Sequence, residues 1–292
     1  MNFMEKLQER SLELNSLVCV GLDIHPEKMP ESFQRELNVP SSVPQKQASV
    51  IFKFVREIID ATKDVAVVYK PNLAFYEDLG FVGEIVQMEI TDYLRENNLL
   101  SIADAKRGDI GNTADRYASA ILKKKGYDAI TVNPYMGVEA VSPFTSYQDK
   151  GVFILCRTSN PSATATQRPI LRDGKTYAEF IAKMAYEKWN ENNNVGLVVG
   201  AVNEKDGFNF LIAEEIASIR EIAPKMTFLI PGIGAQGGLI RQTVQAAKDL
   251  ISGTGFIINS SREITHASSG PDFAEKAQEN AIKLRDEINK YR

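Results

Sequence analysis

Three charged residues define the chemistry open to this chain. Asp104 and Lys106 stand two apart in the run Asp104-Ala105-Lys106-Arg107-Gly108-Asp109-Ile110-Gly111-Asn112-Thr113, directly after an apolar stretch. Alternation along a strand puts residues two apart on one side, so these two side chains are expected to face one space. Lys70, closing another apolar stretch as Tyr69-Lys70-Pro71-Asn72, is expected to point into the same space. A lysine beside carboxylates is held in its charged form and is an available proton donor. A carboxylate fixed near an anionic substrate group raises the energy of the bound ground state. Such a site favours formation of a carbanion as a negative group departs, with lysine close enough to protonate it. A structural ion-pair network would gather the same residue types. Asp109 lies beyond the strand in a turn, where spacing does not give its direction.

The elements that must position these groups follow from a rhythm in the chain. Short apolar runs rich in β-branched residues recur at 17–22, 65–70, 99–104, 128–132, 151–156, 195–200, 226–230 and 255–259. Most are continuous rather than alternating, as expected of parallel strands buried on both faces. Between them, residues such as Ala48, Ile51, Phe52, Val55, Ile58 and Ile59 recur at helical spacing. Helices are predicted over 44–62, 82–97, 112–125, 136–148, 175–191, 208–222, 238–251 and 272–290, with an extra one in the first 15 residues. Eight β–α units in 292 residues predict a single α/β domain spanning the chain, a (β/α)8 (TIM) barrel with an added N-terminal helix. A doubly wound open sheet is the alternative fold.

That architecture puts chemistry at the carboxyl ends of the strands. Strand one ends there in Gly21-Leu22-Asp23. The seventh run leads into Pro231-Gly232-Ile233-Gly234-Ala235-Gln236-Gly237-Gly238, and the eighth into Ser260-Ser261-Arg262. Glycines at a helix start let backbone N–H groups approach an anion, and loops after strands seven and eight are the usual phosphate site of such barrels. Arg262 could grip a phosphate with two N–H groups. Two long connections, 25–47 and 157–175, leave the same face and are candidate binding loops.

The net charge of −4 gives a poor global field for nucleic-acid polymers or anionic lipid, yet allows a local basic pocket for one small anion. No stretch approaches the roughly 20 apolar residues of a membrane span, and the charged N-terminus lacks the apolar segment of a signal peptide. A cytoplasmic protein is the expectation. Cys19 and Cys156 sit in apolar runs and read as buried thiols. With only His25 and His266 in the chain, no histidine-based metal site is expected.

Together these residues resemble the orotidine 5′-phosphate decarboxylase family. The run from Asp104 to Thr113 fits its D-x-K-x-x-D-I-x-x-T signature. Matching pieces extend from Gly21-Leu22-Asp23 through Lys70-Pro71-Asn72-Leu73-Ala74-Phe75-Tyr76-Glu77, Arg157-Thr158-Ser159-Asn160-Pro161 and the glycine-rich run to Ser261-Arg262. Several of these look like the longer bacterial-type branch. The resemblance implies conversion of orotidine monophosphate to uridine monophosphate and CO2, the last step of de novo pyrimidine nucleotide synthesis, without metal or organic cofactor. It implies Lys106 as proton donor to C6, Asp104 against the departing carboxylate, and Lys70 linking the ribose to the charge network. Asp23 would bind the ribose, Ser159 the base, and Pro231, Gln236 and Arg262 the pyrimidine edge and phosphate. Asp109, Ile110 and Thr113 would act across a homodimer. Ser162 stands where the family often has glycine, and segments 26–47 and 162–175 match no motif of it. Two further readings stay open: a magnesium-dependent sugar-phosphate decarboxylase or synthase barrel, and a non-catalytic barrel that only binds a phosphorylated ligand.

Overall fold

The computed structural model describes residues 1–38, 43–205, 208–233, 239–249 and 252–292. Its strands are β1 (Val18–Gly21), β2 (Ala66–Lys70), β3 (Ile102–Arg107), β4 (Ala129–Val132), β5 (Gly151–Arg157), β6 (Val195–Val199), β7 (Asn203–Lys205), β8 (Phe208–Leu211), β9 (Phe228–Ile230) and β10 (Phe256–Ser260). Eight of them form one parallel sheet in the order β2-β1-β10-β9-β6-β5-β4-β3. Bridges Tyr69 to Ser101 and Asn72 to Asp104 join its two ends, closing the predicted barrel. All eight predicted apolar runs carry a strand of that sheet. The largest offset is β3, which starts three residues late, because Leu99 still bonds back to the preceding helix through its N–H to Leu94 O (2.8 Å).

The interior of the barrel is a packed core. Cys19, Val67, Ile102, Phe153, Leu229 and Ile257 meet there. Its amino-terminal end is plugged by α1 (Phe3–Glu13), whose Phe3 and Leu7 join that cluster. Phe3 lies edge-on to Phe153, with ring centroids 6.0 Å apart. Arg10 of α1 donates to the carbonyls of Lys63 (2.8 Å) and Ala66 (3.3 Å), fixing the plug at the start of β2. Asn2 caps the helix in a reciprocal box with Glu5. The predicted extra helix therefore has a purpose: it seals the end opposite the charged residues.

Outside the sheet run α3 (Pro44–Thr62), α5 (Phe81–Glu96), α6 (Gly111–Ala118), α9 (Tyr177–Glu187), α10 (Ala213–Ile222), α11 (Ile240–Ala247) and α13 (Phe273–Asn289). The predicted helix 44–62 is observed with the same bounds. Two predicted helices are corrected. In place of one helix over 136–148 there is a single 3-10 turn (Val138–Ala140) and a short α7 (Ser142–Thr145). Gly137 at φ +83° and Pro143 break the run. The predicted helix 208–222 starts only at Ala213, because Phe208–Leu211 pair antiparallel with Asn203–Lys205. Between the two paired segments the sequence has Asp206-Gly207, a dipeptide that favours hairpin turns; both residues lie outside the described ones. The long connections are also partly helical, with α2 (Glu31–Leu37) in the first and α8 (Ala163–Gln167) in the second. Among the described residues no helix is long and apolar enough to cross a membrane. Both cysteines are buried and free, as expected.

Candidate active site

Lys70, Asp104 and Lys106 meet at the carboxyl end of the barrel. Lys70 Nζ lies 2.8 Å from Asp104 Oδ2, and Lys106 Nζ lies 2.6 Å from Asp104 Oδ1. The two lysines differ in setting. The Lys70 side chain is 4% exposed and Lys106 49%, so Lys106 alone of the pair faces the open mouth. Burial by itself would push the Asp104 carboxyl up, but Lys70 and then Lys106 outweigh it and hold the group well below the usual carboxylate range. Burial would likewise lower the Lys70 ammonium, but Asp104 and then Asp23 outweigh it and raise it above its ordinary value. Asp104 and Lys70 are thus held in their charged forms.

Lys106 does not sit in regular strand geometry. Its φ is +48°, in the left-handed region that side-chain-bearing residues seldom occupy. Ala103 pairs with Ile130 and Arg107 with Val132, so four steps along β3 match two along β4. The expected convergence of Asp104 and Lys106 is correct, but a bulge produces it rather than simple alternation. The neighbouring Arg107 pairs with Glu77 at the end of α4 (Leu73–Glu77) and donates to Ala105 O at 2.9 Å.

Asp23 follows β1, and three successive carbonyls there are claimed by side chains. Thr265 donates to Gly21 O (2.6 Å), Tyr76 to Leu22 O (2.7 Å), and His266 Nε2 meets Asp23 O (3.0 Å). Burial lowers the His266 pKa, favouring the neutral ring. With the backbone so tied, the Asp23 carboxylate is left with Oδ1 buried and without a partner among the described residues. A buried carboxylate oxygen with no partner fits a hydroxyl-bearing ligand.

Ser159 lies just past β5, half-buried, where the end of β6 comes very close: a Cβ on Gly200 would sit 2.8 Å from the Ser159 N and Cβ. Sequence reasoning missed what holds this loop. Gln167 Oε1 accepts from Thr158 N–H (2.8 Å) while its amide donates to the Thr158 hydroxyl (2.9 Å). The wholly buried Arg157 donates to Thr158 O (2.6 Å) and to Glu215 (3.1 Å), and Glu215 also takes two bonds from Arg168 (2.9 and 2.7 Å). The signal was present as charged residues, Arg157 directly after an apolar run and Arg168 within an otherwise unassigned stretch, but their partner is 47 residues or more away.

Pro231 is half-buried beyond β9, and Arg262 is exposed at the first position of α12 (Arg262–Thr265), both at the same mouth. Gln236 lies outside the described residues, as do its neighbours at 234–238. Asp109 follows the bulge and accepts from Ile110 N–H (2.8 Å). Ile110 and Thr113 are exposed, on the outer surface beside the mouth.

Residues 16–277 match the family model described as Orotidine 5′-phosphate decarboxylase / HUMPS family. An orotidine 5′-phosphate decarboxylase of Cupriavidus metallidurans is 41% identical, covering 100% of this chain and 99% of the relative. One of Dehalococcoides mccartyi is 43% identical over the same shares. Among solved structures, OMP decarboxylase of Leishmania donovani superposes with a TM-score of 0.80 at 33% identity, covering 100% of this chain and 98% of that one.

Proposed function

The chain belongs to the orotidine 5′-phosphate decarboxylase / HUMPS family, and on that premise we propose that it decarboxylates orotidine 5′-phosphate to uridine 5′-phosphate. The observation that carries this reading is the Lys70–Asp104–Lys106 cluster, with one lysine buried and the other at the open mouth. The C6 carboxylate of the substrate lies against Asp104. The C6–carboxylate bond breaks, CO2 leaves, and the electron pair stays on C6. Lys106 Nζ gives its proton to C6, and the neutral amine regains one from water. Lys70 keeps Asp104 ionised throughout, so the repulsion that departure of CO2 relieves is present in every bound complex. Asp23 takes a ribose hydroxyl on its unpartnered Oδ1. Ser159 contacts the base, and Pro231, Gln236 and Arg262 line the pyrimidine edge and phosphate.

We extend the proposal to a homodimer. Ile110 (52% exposed) and Tyr135 (82% exposed) are large apolar side chains left in solvent, and α6 packs against the turn that follows Tyr135. An apolar surface next to the mouth suits a second copy of the chain. Asp109, Ile110 and Thr113 would then reach the partner's site.

Loss of orotidine monophosphate absorbance on adding purified protein tests the reaction, run with and without excess EDTA. Equal turnover in both is expected. Turnover that vanishes in EDTA, or none in either, would overturn the reading in favour of metal-dependent sugar-phosphate chemistry or simple binding. Lys106→Ala should abolish decarboxylation while uridine monophosphate still binds. Near-parental turnover in that variant would remove Lys106 as the proton donor.

A further inference from the structure

Two extra residues in β3 create a problem that the main chain of β4 cannot solve. Across the bulge, Asp104 N–H reaches Pro71 O (3.0 Å) and Arg107 O accepts from Asn133 N–H (2.7 Å), both regular backbone bonds. Ala105 O takes the Arg107 guanidinium. The N–H groups of Ala105 and Lys106 are left facing β4 with no carbonyl in register. Each donates instead to one atom, Thr131 Oγ1, at 3.0 and 2.9 Å. The same hydroxyl donates to Asp104 Oδ1 at 3.0 Å. A threonine hydroxyl has one proton and two lone pairs, so every bond that Thr131 can make is used, and all three go to the Asp104–Lys106 segment.

We infer that Thr131 is a positioning residue of the reaction proposed above: its hydroxyl stands in for the missing main-chain acceptor and so fixes the Lys106 ammonium against Asp104. Three observations carry this. Thr131 is 1% exposed in the middle of β4, so solvent cannot take over its role. Lys106 holds a left-handed backbone, a conformation that persists only where surroundings over-determine it. Finally, Asp104 Oδ1 accepts both the Thr131 hydroxyl and the Lys106 ammonium, so one atom couples the backbone clamp to the reacting pair. Loss of the hydroxyl would leave the buried Ala105 N–H and the part-buried Lys106 N–H without acceptors, and the bulge would have to relax. The proton donor then shifts relative to C6. Displacements on the order of 1 Å at a reacting atom can reduce turnover about a hundredfold.

The test compares Thr131→Val, Thr131→Cys and Thr131→Ser with the parent, measuring kcat for orotidine monophosphate and the Kd of uridine monophosphate. Valine keeps the shape and loses all three bonds. Cysteine keeps the size with a weak donor and acceptor, and serves as the comparison should valine at this position fail to fold. Serine keeps the hydroxyl. The expected result is a kcat lower by tenfold or more in the folded variants without a hydroxyl, product Kd within about threefold, and recovery to within about threefold of parental kcat with serine. A merely structural threonine would change the melting temperature and leave kcat of the folded protein alone. Parental kcat in folded valine or cysteine variants overturns the inference, as does a serine variant as slow as the others. A parent with no turnover removes the proposed reaction and this inference together, whereas an active parent with equally active variants removes only the inference.

Discussion

Replacing Lys70 by methionine separates the electrostatics of the site from its shape. Methionine has nearly the same length and no charge, and the position is 3% exposed, so the change removes one ammonium from a packed interior. The loss falls on Asp104 Oδ2, whose bond to Lys70 is 2.8 Å. Orphaning one member of a buried pair costs about 3–5 kcal/mol, but Asp104 keeps Lys106 and Thr131 on its other oxygen. The relevant magnitude is therefore one hydrogen bond between charged groups, about 2–3 kcal/mol of unfolding free energy at neutral pH. For a chain of this size that corresponds to a melting temperature lower by roughly 3–5 °C.

The pH dependence gives the sign. In the parent the folded Asp104 pKa lies below its unfolded value, so its contribution is present above pH ~4 and is lost as pH falls through the folded value. Lys70 has a raised folded pKa, so its contribution is present below pH ~10 and is lost only as pH rises further. The gap in stability between parent and Lys70→Met should thus be full from about pH 5 to 9 and should shrink only below about pH 4. Urea unfolding followed by circular dichroism at about pH 7.5 and about pH 3 measures it. A gap under about 1 kcal/mol at pH 7.5, or one that widens on acidification, would refute the claim that Lys70 holds Asp104 ionised.

Other consequences are separable. Gly200→Ala should raise KM for orotidine monophosphate and also lower the melting temperature, because the new Cβ would lie 2.8 Å from the Ser159 backbone N and one of the two segments must shift; kinetics beside a thermal scan decide it. Phe3→Ala, which empties the plug against Phe153, should cost about 3–5 kcal/mol by urea titration while kcat of the folded protein stays near parental, since the change lies at the far end of the barrel. Mixing Lys106→Ala with Asp109→Ala chains should restore part of the activity through hybrid dimers. No recovery despite demonstrated subunit exchange would count against a shared site.

The barrel was legible because its signals are local and repeated. A strand buried on both faces must be apolar throughout, and eight such runs separated by helical spacing leave few other topologies. The same reasoning located Lys70, since a lysine ending a buried run needs a partner. It failed where a connection departs from regular periodicity. Phe208–Leu211 contributed apolar residues that suited either period, and the structure pairs them with Asn203–Lys205 rather than extending α10.

The bulge at Lys106 was not legible, for a reason of range. Alternation along Asp104-Ala105-Lys106-Arg107 is compatible with a continuous strand, and the observed β3 does run through these residues. What turns the chain is the partner: β4 offers two steps to four of β3, and Thr131 supplies by side chain the acceptor its backbone lacks. A threonine in a β-branched run reads as an ordinary strand residue, and nothing within Ala129–Val132 marks it as different. The same holds for Gln167 and Glu215, polar residues whose task appears only when β5 is brought against them. The groups proposed to touch substrate sit at strand ends, where sequence position alone points to them. The groups that aim them act through pairings 9 to 58 residues distant, and the 26- and 58-residue ones are brought together only by the packed barrel.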